Sequence, residues 1–221
     1  MSERDKHDKI NIELLKREYE KRRLEIKRRL EEFQKVYDQG DQAIFRELCF
    51  CILAANSSAE MGMRTVQALG DLLFHGDLPS LQQRLSKGFR YWRIRPAYII
   101  HTRDYLQREF NFKLRALLSA FPDPETRRDF FATHKDIKGL SFKEASHFLR
   151  NIGCRGYAIV DKHILRCLKE LGVIREITPP AGRARYLQIE KKMKKFSMSI
   201  GIGMDELDLL LWSLKTGKIL K

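Results

Sequence analysis

"IKGLSFKEASHFLRNIGCRGYAIVDKHILRCLKELGVI", Ile137 to Ile174, decides how the rest of the chain is read. Phe142, Ala145, Leu149 and Ile152 recur at i, i+3, i+7 and i+10, which makes a core-facing helical stripe. Lys143, His147 and Arg150 recur at i, i+4 and i+7 on a different face. Upstream, "PETRRDFFATHKDI" is a second helical run, joined to "FKEASHFLRNIG" by "KGLS", and so short a link demands a tight hairpin. Gly139 supplies the permissive backbone for the turn. Amides freed at the hairpin and at the N-terminus of the second helix suit a phosphate, which they bind without reading sequence. Downstream, the loop "GCRGY" and the apolar "AIV" lead to Asp161, which opens "KHILRCLKEL". Taken singly, a first-turn lysine is ordinarily solvated, and an aspartate at a helix start is ordinarily an N-cap.

Working outward, almost every other segment also has helical periodicity. "KINIELLKREYEKRRLEIKRRLEEFQKVY" carries Leu15, Tyr19, Ile26, Leu30 and Phe33 on one face of a long charged helix. "DQAIFRELCFCILAA" is apolar on most sides, which predicts a central buried helix. "SSAEMGMRTVQALGDLLF" reads as one helix with Ser57 or Ser58 as N-cap and Glu60 placed for a capping box. Shorter helices are expected within 78–87, 97–110, 113–121 and 124–135, separated by "HGDLP", "RIRP" and "FPDP". With no recurring strand alternation, repeat or low-complexity linker, the fold class is all-α.

Lys plus Arg number 43 against 29 Asp plus Glu, giving a formal charge of +14. Such an excess of one sign favours a polyanionic partner through its field. No leading apolar stretch resembles a signal peptide, and no run could span a membrane, so an intracellular protein is expected. Cys49, Cys51, Cys154 and Cys167 are then reduced packing residues, because their spacing forms no tight metal-binding run.

The hairpin, the loop and Asp161 together resemble the helix–hairpin–helix DNA glycosylases. More narrowly, "KEASHFLRN", "AIVDKHILR", "LDLLLWSLKTGKILK" and "ELCFCILAANSSAEMG" are similar to the second 8-oxoguanine DNA glycosylase family, found in archaea and some thermophilic bacteria. The resemblance runs from about Glu47 to Lys221. Two departures are visible: the hairpin's usual Gly-x-Gly is Gly139-Leu140-Ser141, and the loop before Asp161 has no proline.

This resemblance implies a single catalytic domain over 1–221, made of two helical subdomains around a DNA-binding cleft, with the hairpin and aspartate segment at about 124–172. It implies excision of 8-oxoguanine from double-stranded DNA, then β-elimination at the abasic site through a Lys143 Schiff base. Asp161 is then the carboxylate that stabilises the cationic sugar. The attacking amine must be neutral, and a helix N-terminus disfavours its charged form, with His147 and Arg150 on the same face.

Chemistry at C1′ of a stacked base also requires flipping, and Trp212, four residues after Asp208, is the stacking candidate. Asn56 lies where related enzymes insert a polar side chain opposite the extruded base. Gly139, Ser141, His147 and Arg150 are the hairpin's DNA contacts. Arg84, Lys87, Arg90, Arg93, Arg95, "RAR" at 183–185 and "KKMKK" at 191–195 are phosphate candidates. The family characteristically stops at a lysine nine residues beyond its tryptophan, as Lys221 does after Trp212. Discrimination against guanine needs an acceptor for the N7 hydrogen, and Asp208, a backbone carbonyl and a carboxylate at Lys221 are the candidates.

No cofactor is required, a monovalent cation at the hairpin is allowed, and the enzyme is expected to act as a monomer without a membrane partner. Two alternatives stay open: a non-catalytic helix–hairpin–helix DNA-binding module, and a glycosylase for another damaged base. Lys143 argues against alkylated bases, and the lack of an iron–sulfur cysteine run argues against oxidised pyrimidines.

Overall fold

The structure is a computed structural model that describes residues 10–220. Twelve helices and no strand occur among them: α1 (Ile12–Asp38), α2 (Asp41–Ala54), α3 (Ala59–Leu69), α4 (Leu72–His75), α5 (Leu78–Leu85), α6 (Arg95–Phe110), α7 (Leu114–Ser119), α8 (Pro124–Thr133), α9 (Phe142–Asn151), α10 (Lys162–Glu170), α11 (Arg183–Ile200) and α12 (Met204–Thr216). The fold is all-α, as the periodicity predicts. None of these helices is long and apolar enough to cross a membrane. The chain divides into two compact units: one takes Glu31–Tyr157, the other the described residues up to Leu30 together with Ala158–Leu220.

In the unit of Glu31–Tyr157, α2 is the core. Ile44, Phe45, Leu48, Cys49, Phe50, Cys51, Ile52 and Leu53 are all buried, as expected of a helix apolar on most sides. Burial pushes the Cys49 thiol far above its ordinary value, which keeps it a small apolar side chain. α3, α6, α7 and α9 pack around α2, and α8 packs on α9. The one polar residue buried on α2 is Glu47, whose Oε1 accepts from Asn151 Nδ2 of α9 at 2.7 Å.

Two helix boundaries and one capping box differ from expectation. "SSAEMGMRTVQALGDLLF" breaks into α3 and α4 at Gly70, whose φ of +51° ends the first helix. Ser58, not Ser57, is the N-cap of α3, accepting from Met61 N, so Glu60 falls one residue short of the capping-box position. α6 opens at Arg95 instead of beyond the proline, because a first-turn Pro96 gives up no helical hydrogen bond.

The other unit packs α10 and α11 on α12. From α1 it takes Leu15, Tyr19, Ile26 and Leu30, the stripe marked out by the sequence, all of them buried. Within it, Ala158-Ile159-Val160 is irregular, apolar and buried, with no strand partner. Side chains satisfy its amides. Ala158 N donates to Glu190 Oε1 at 2.9 Å, Ile159 N to Asp208 Oδ1 at 2.9 Å, and Val160 N to Tyr186 Oη at 3.2 Å. The Tyr186 hydroxyl returns a bond to Ala158 O at 2.6 Å. Buried amides must find acceptors, and here α11 and α12 supply them.

Gly153 ends α9 at φ +86°, and a Cβ there would lie 2.8 Å from Gln34 Cα. Gly156 has the same φ with nothing within 4 Å. Gly153→Ala is therefore expected to destabilise the fold by about 2–4 kcal/mol and Gly156→Ala by only about 1 kcal/mol. Urea unfolding of both variants checks the difference.

Candidate active site

The connection that enters α9 is longer than the four residues read from sequence. α8 stops at Thr133, and the chain from His134 to Ser141 is held to α6 instead of continuing as helix. His134 Nε2 lies 3.0 Å from Tyr105 Oη, His101 Nε2 lies 3.0 Å from Asp136 Oδ1, and Lys138 N donates to the buried Thr102 Oγ1 at 3.0 Å. Ile137 anchors the loop in the core. Gly139 follows at φ +81°, where a Cβ would lie 2.8 Å from Tyr98 Cδ2 and 3.0 Å from Arg95 Nη1. The glycine is thus required twice, by its conformation and by its neighbours.

Ser141 has φ −116°, extended backbone that any residue adopts, so a second glycine is unnecessary. It caps α9 in a capping box with Glu144: Ser141 N donates to Glu144 Oε2 at 3.2 Å, and the Ser141 hydroxyl bonds to the same oxygen. The other carboxylate oxygen, Oε1, lies 2.8 Å from Lys143 Nζ. Lys143 is half-buried in the first turn, with about a third of its side chain exposed. Burial alone would raise the Glu144 carboxyl, but Lys143 and Ser141 outweigh it and hold it below the ordinary glutamate value.

The expected cationic help for Lys143 is arranged differently. Arg150 is 4% exposed and turned inward. Its Nε and Nη2 donate to Asn151 Oδ1 at 3.2 and 3.0 Å, and its guanidinium lies 5.1 Å from the centre of the Phe33 ring. A helical wheel cannot reveal that inward turn. His147 is half-buried with its ring edge-to-face on Phe50, centroids 5.5 Å apart. Asn56 stands exposed at φ +55° in the turn between α2 and α3, a conformation asparagine tolerates better than most residues. Arg84, Lys87, Arg90 and Arg93 are exposed, whereas Arg95 is 9% exposed.

In the other unit Asp161 N-caps α10. Its Oδ1 accepts from His163 N and Ile164 N, both at 2.8 Å, which leaves Oδ2 outside the cap. Asp208 is 1% exposed, with Oδ1 on Ile159 N, so it fixes the segment just before Asp161. Trp212 is half-buried on α12. Lys191, Lys192, Lys194 and Lys195 are exposed around a fully buried Met193. Lys221 lies outside the described residues.

Sequence reasoning missed Glu144, Tyr186 and Glu190. Glu144 had a readable signal, since "SFKE" is a capping-box pattern. Tyr186 and Glu190 reach back 28 and 32 residues to Ala158, and no local pattern announces them.

A helix–hairpin–helix element with a first-turn lysine, and an aspartate that caps the following helix, define the class as a DNA glycosylase scaffold. The sequence profile of 8-oxoguanine DNA glycosylase matches residues 26–202. The chain is 42% identical over 197 residues to the 8-oxoguanine DNA glycosylase/AP lyase of Korarchaeum cryptofilum, covering 89% of this chain and 90% of that protein. The enzyme of the same name from Methanocaldococcus jannaschii is 38% identical over 197 residues, covering 89% and 91%. Among solved structures, the Methanocaldococcus jannaschii 8-oxoguanine glycosylase/lyase in complex with 15mer DNA containing 8-oxoguanine matches with a TM-score of 0.84 at 35% identity, covering 95% of this chain and all of that one. The 8-oxoguanine DNA glycosylase of Thermotoga maritima matches with the same score and identity, covering 95% and 98%. The chain belongs to the 8-oxoguanine DNA glycosylase family. Of the readings weighed from sequence, the non-catalytic binding module is therefore set aside, since the relatives are enzymes.

Because the Glu144 carboxyl is held low in the fold, it contributes stability that is complete above the ordinary glutamate range and is lost as pH falls through its folded value. Glu144→Gln keeps a capping-box side chain but no titrating group. Thermal melts across the range below about pH 4 are expected to show a shallower acid loss in the variant than in the parent.

Proposed function

We infer that this chain excises 8-oxoguanine from double-stranded DNA and cleaves the resulting abasic site, with Lys143 as nucleophile and Asp161 as its acidic counterpart. The observation that carries the reading is Lys143 itself, a partly exposed amine in the first turn of α9, directly after the hairpin. Its Nζ attacks C1′ of the flipped nucleotide. The N–C1′ bond forms, the glycosidic bond to N9 breaks, and the base leaves with a proton. Opening of the sugar gives a protonated Schiff base, which acidifies C2′–H. Loss of that proton expels the 3′ phosphate. In this reading Asp161 acts on the same sugar, with Oδ2 opposing the positive charge that develops there while Oδ1 stays in the cap.

DNA binding draws on the field of a chain with charge +14. The exposed Arg84, Lys87, Arg90 and Arg93 and the lysines of α11 are proposed phosphate contacts, with the backbone of Gly139 and Ser141 and the ring of His147 at the hairpin. Arg150, buried on Asn151 and Phe33, is better suited to holding α9 in shape. Asn56, exposed in the turn between α2 and α3, is proposed to enter the gap left by the flipped base, and Trp212 to stack on that base. Asp208 Oδ1 already accepts from Ile159 N, so a backbone carbonyl near Trp212 is the simpler acceptor for the N7 hydrogen. No cofactor enters these steps, and one chain suffices. A monovalent cation at the hairpin would rest on backbone carbonyls, and one of these, Gly139 O, already receives Arg95 Nη1 at 3.4 Å.

Lys143→Gln is expected to abolish the covalent complex trapped by borohydride, and strand cleavage with it, while duplex binding survives. Trapping at the parental level would assign the nucleophile to another amine. Asp161→Asn keeps a competent N-cap, so its unfolding free energy should change by only a few tenths of a kcal/mol. Its single-turnover base release, measured beside that, is expected to fall by orders of magnitude. A large loss of stability with near-parental release would make Asp161 purely structural.

A further inference from the structure

Arg95 belongs by sequence with its basic neighbours, but its surroundings are unlike theirs. Arg95 is buried, 9% exposed, and among the described residues no carboxylate pairs with it. Nη2 donates to Ala55 O and Nη1 to Gly139 O, each at 3.4 Å. The rings of Tyr91 and Tyr98 flank its charge, with centroids 5.4 and 5.6 Å from Cζ. Burying a cation costs several kcal/mol unless other groups replace water, and here two carbonyl dipoles and two π faces do so. The two carbonyls are also informative. Ala55 is the C-cap of α2 and immediately precedes Asn56, and Gly139 is the turn of the hairpin whose helix carries Lys143.

We propose that Arg95 is a positioning residue that clasps the Asn56 turn to the hairpin, fixing the spacing between the side chain that enters the duplex and the amine that attacks. The proposal rests on the functional reading above. A planar fork with two donors can span two carbonyls from different segments, which a single ammonium point charge cannot do at both ends. The stiffness of the clasp follows from its walls, since Tyr98 and the Arg95 fork leave no room for a Cβ at Gly139. A spacing error of about 1 Å between groups that meet one nucleotide can cost about 100-fold in rate.

The competing role, a phosphate contact, makes an opposite forecast. Removing a phosphate contact weakens binding and reduces the slope of log affinity against log salt by about one, and it leaves the rate of the bound complex alone. The test measures that slope and the single-turnover rates on two duplexes, one with 8-oxoguanine and one with a pre-formed abasic site. The proteins are the parent, Arg95→Gln and Arg95→Lys. Both variants are expected to keep the parental salt slope and lose roughly 10- to 100-fold in rate on both duplexes. A slope reduced by about one with the rate retained would overturn the proposal in favour of a phosphate contact. A parental rate in Arg95→Lys would overturn it too, since charge alone would then suffice. So would a lowered melting temperature with parental rate per folded molecule. If Arg95→Gln does not fold, Tyr98→Leu, which removes one wall and keeps the fork, carries the same readouts with a smaller rate loss expected. A parent inert on both duplexes would sink the functional reading itself, an outcome distinct from an active parent with unaffected variants.

Discussion

The carboxylate of Glu144 joins three things that would otherwise be independent: the end of the hairpin, the start of α9 and the Lys143 amine. One of its oxygens meets the Ser141 amide and hydroxyl, and the other meets Nζ at 2.8 Å. The capping box sets where the helix begins, and the helix start sets which residue stands in its first turn. The amine's place is thus decided by a polar contact three residues long. The apolar stripe alone would permit the helix to begin a residue earlier or later. Buried charge is costly, and this one is retained with a cation and two donors around it. In the proposed reaction the same ion pair has a second consequence. Nζ must leave Glu144 and lose a proton before it can attack, so the free protein presents the amine in a parked arrangement.

In the other unit the equivalent constraint falls on the three residues before Asp161. Their amides are held by Glu190, Asp208 and Tyr186, three side chains from two helices. The aspartate therefore emerges from a segment fixed on its N-terminal side by α11 and α12, and on its C-terminal side by its own cap on α10. Such over-determination suits the role proposed for Asp161, opposing a developing charge without reorganising.

Helical periodicity made the architecture legible, because it is a local property. The Leu15-to-Phe33 stripe and the all-round apolarity of α2 both correspond to buried residues. Turn chemistry was legible in part. The Gly139 turn was readable, but the longer connection from His134 was not, because Tyr105, His101 and Thr102 of α6 hold it open by contacts some 30 residues away in sequence. The direction of the arginines was the least legible feature. Arg150 and Arg95 share spacing and composition with solvated neighbours, yet both turn inward, toward Asn151 and Phe33 in one case and toward two carbonyls in the other. Sequence gives a charge its place on a helix. Partners several helices away decide whether it faces water.

The manner in which Ala158-Ile159-Val160 is satisfied also bears on the protein's behaviour in concentrated solution. With the neighbouring Tyr157 it forms a short uncharged run with the aromatic and β-branched residues that favour strand pairing when a main chain is left open. A conventional sheet would leave an edge needing protection from strands of other copies. Here side-chain oxygens from the helices occupy the amide positions an incoming strand would need, and the segment's side chains are buried. The arrangement that holds the aspartate in register thereby also leaves this segment no open amide for an incoming strand.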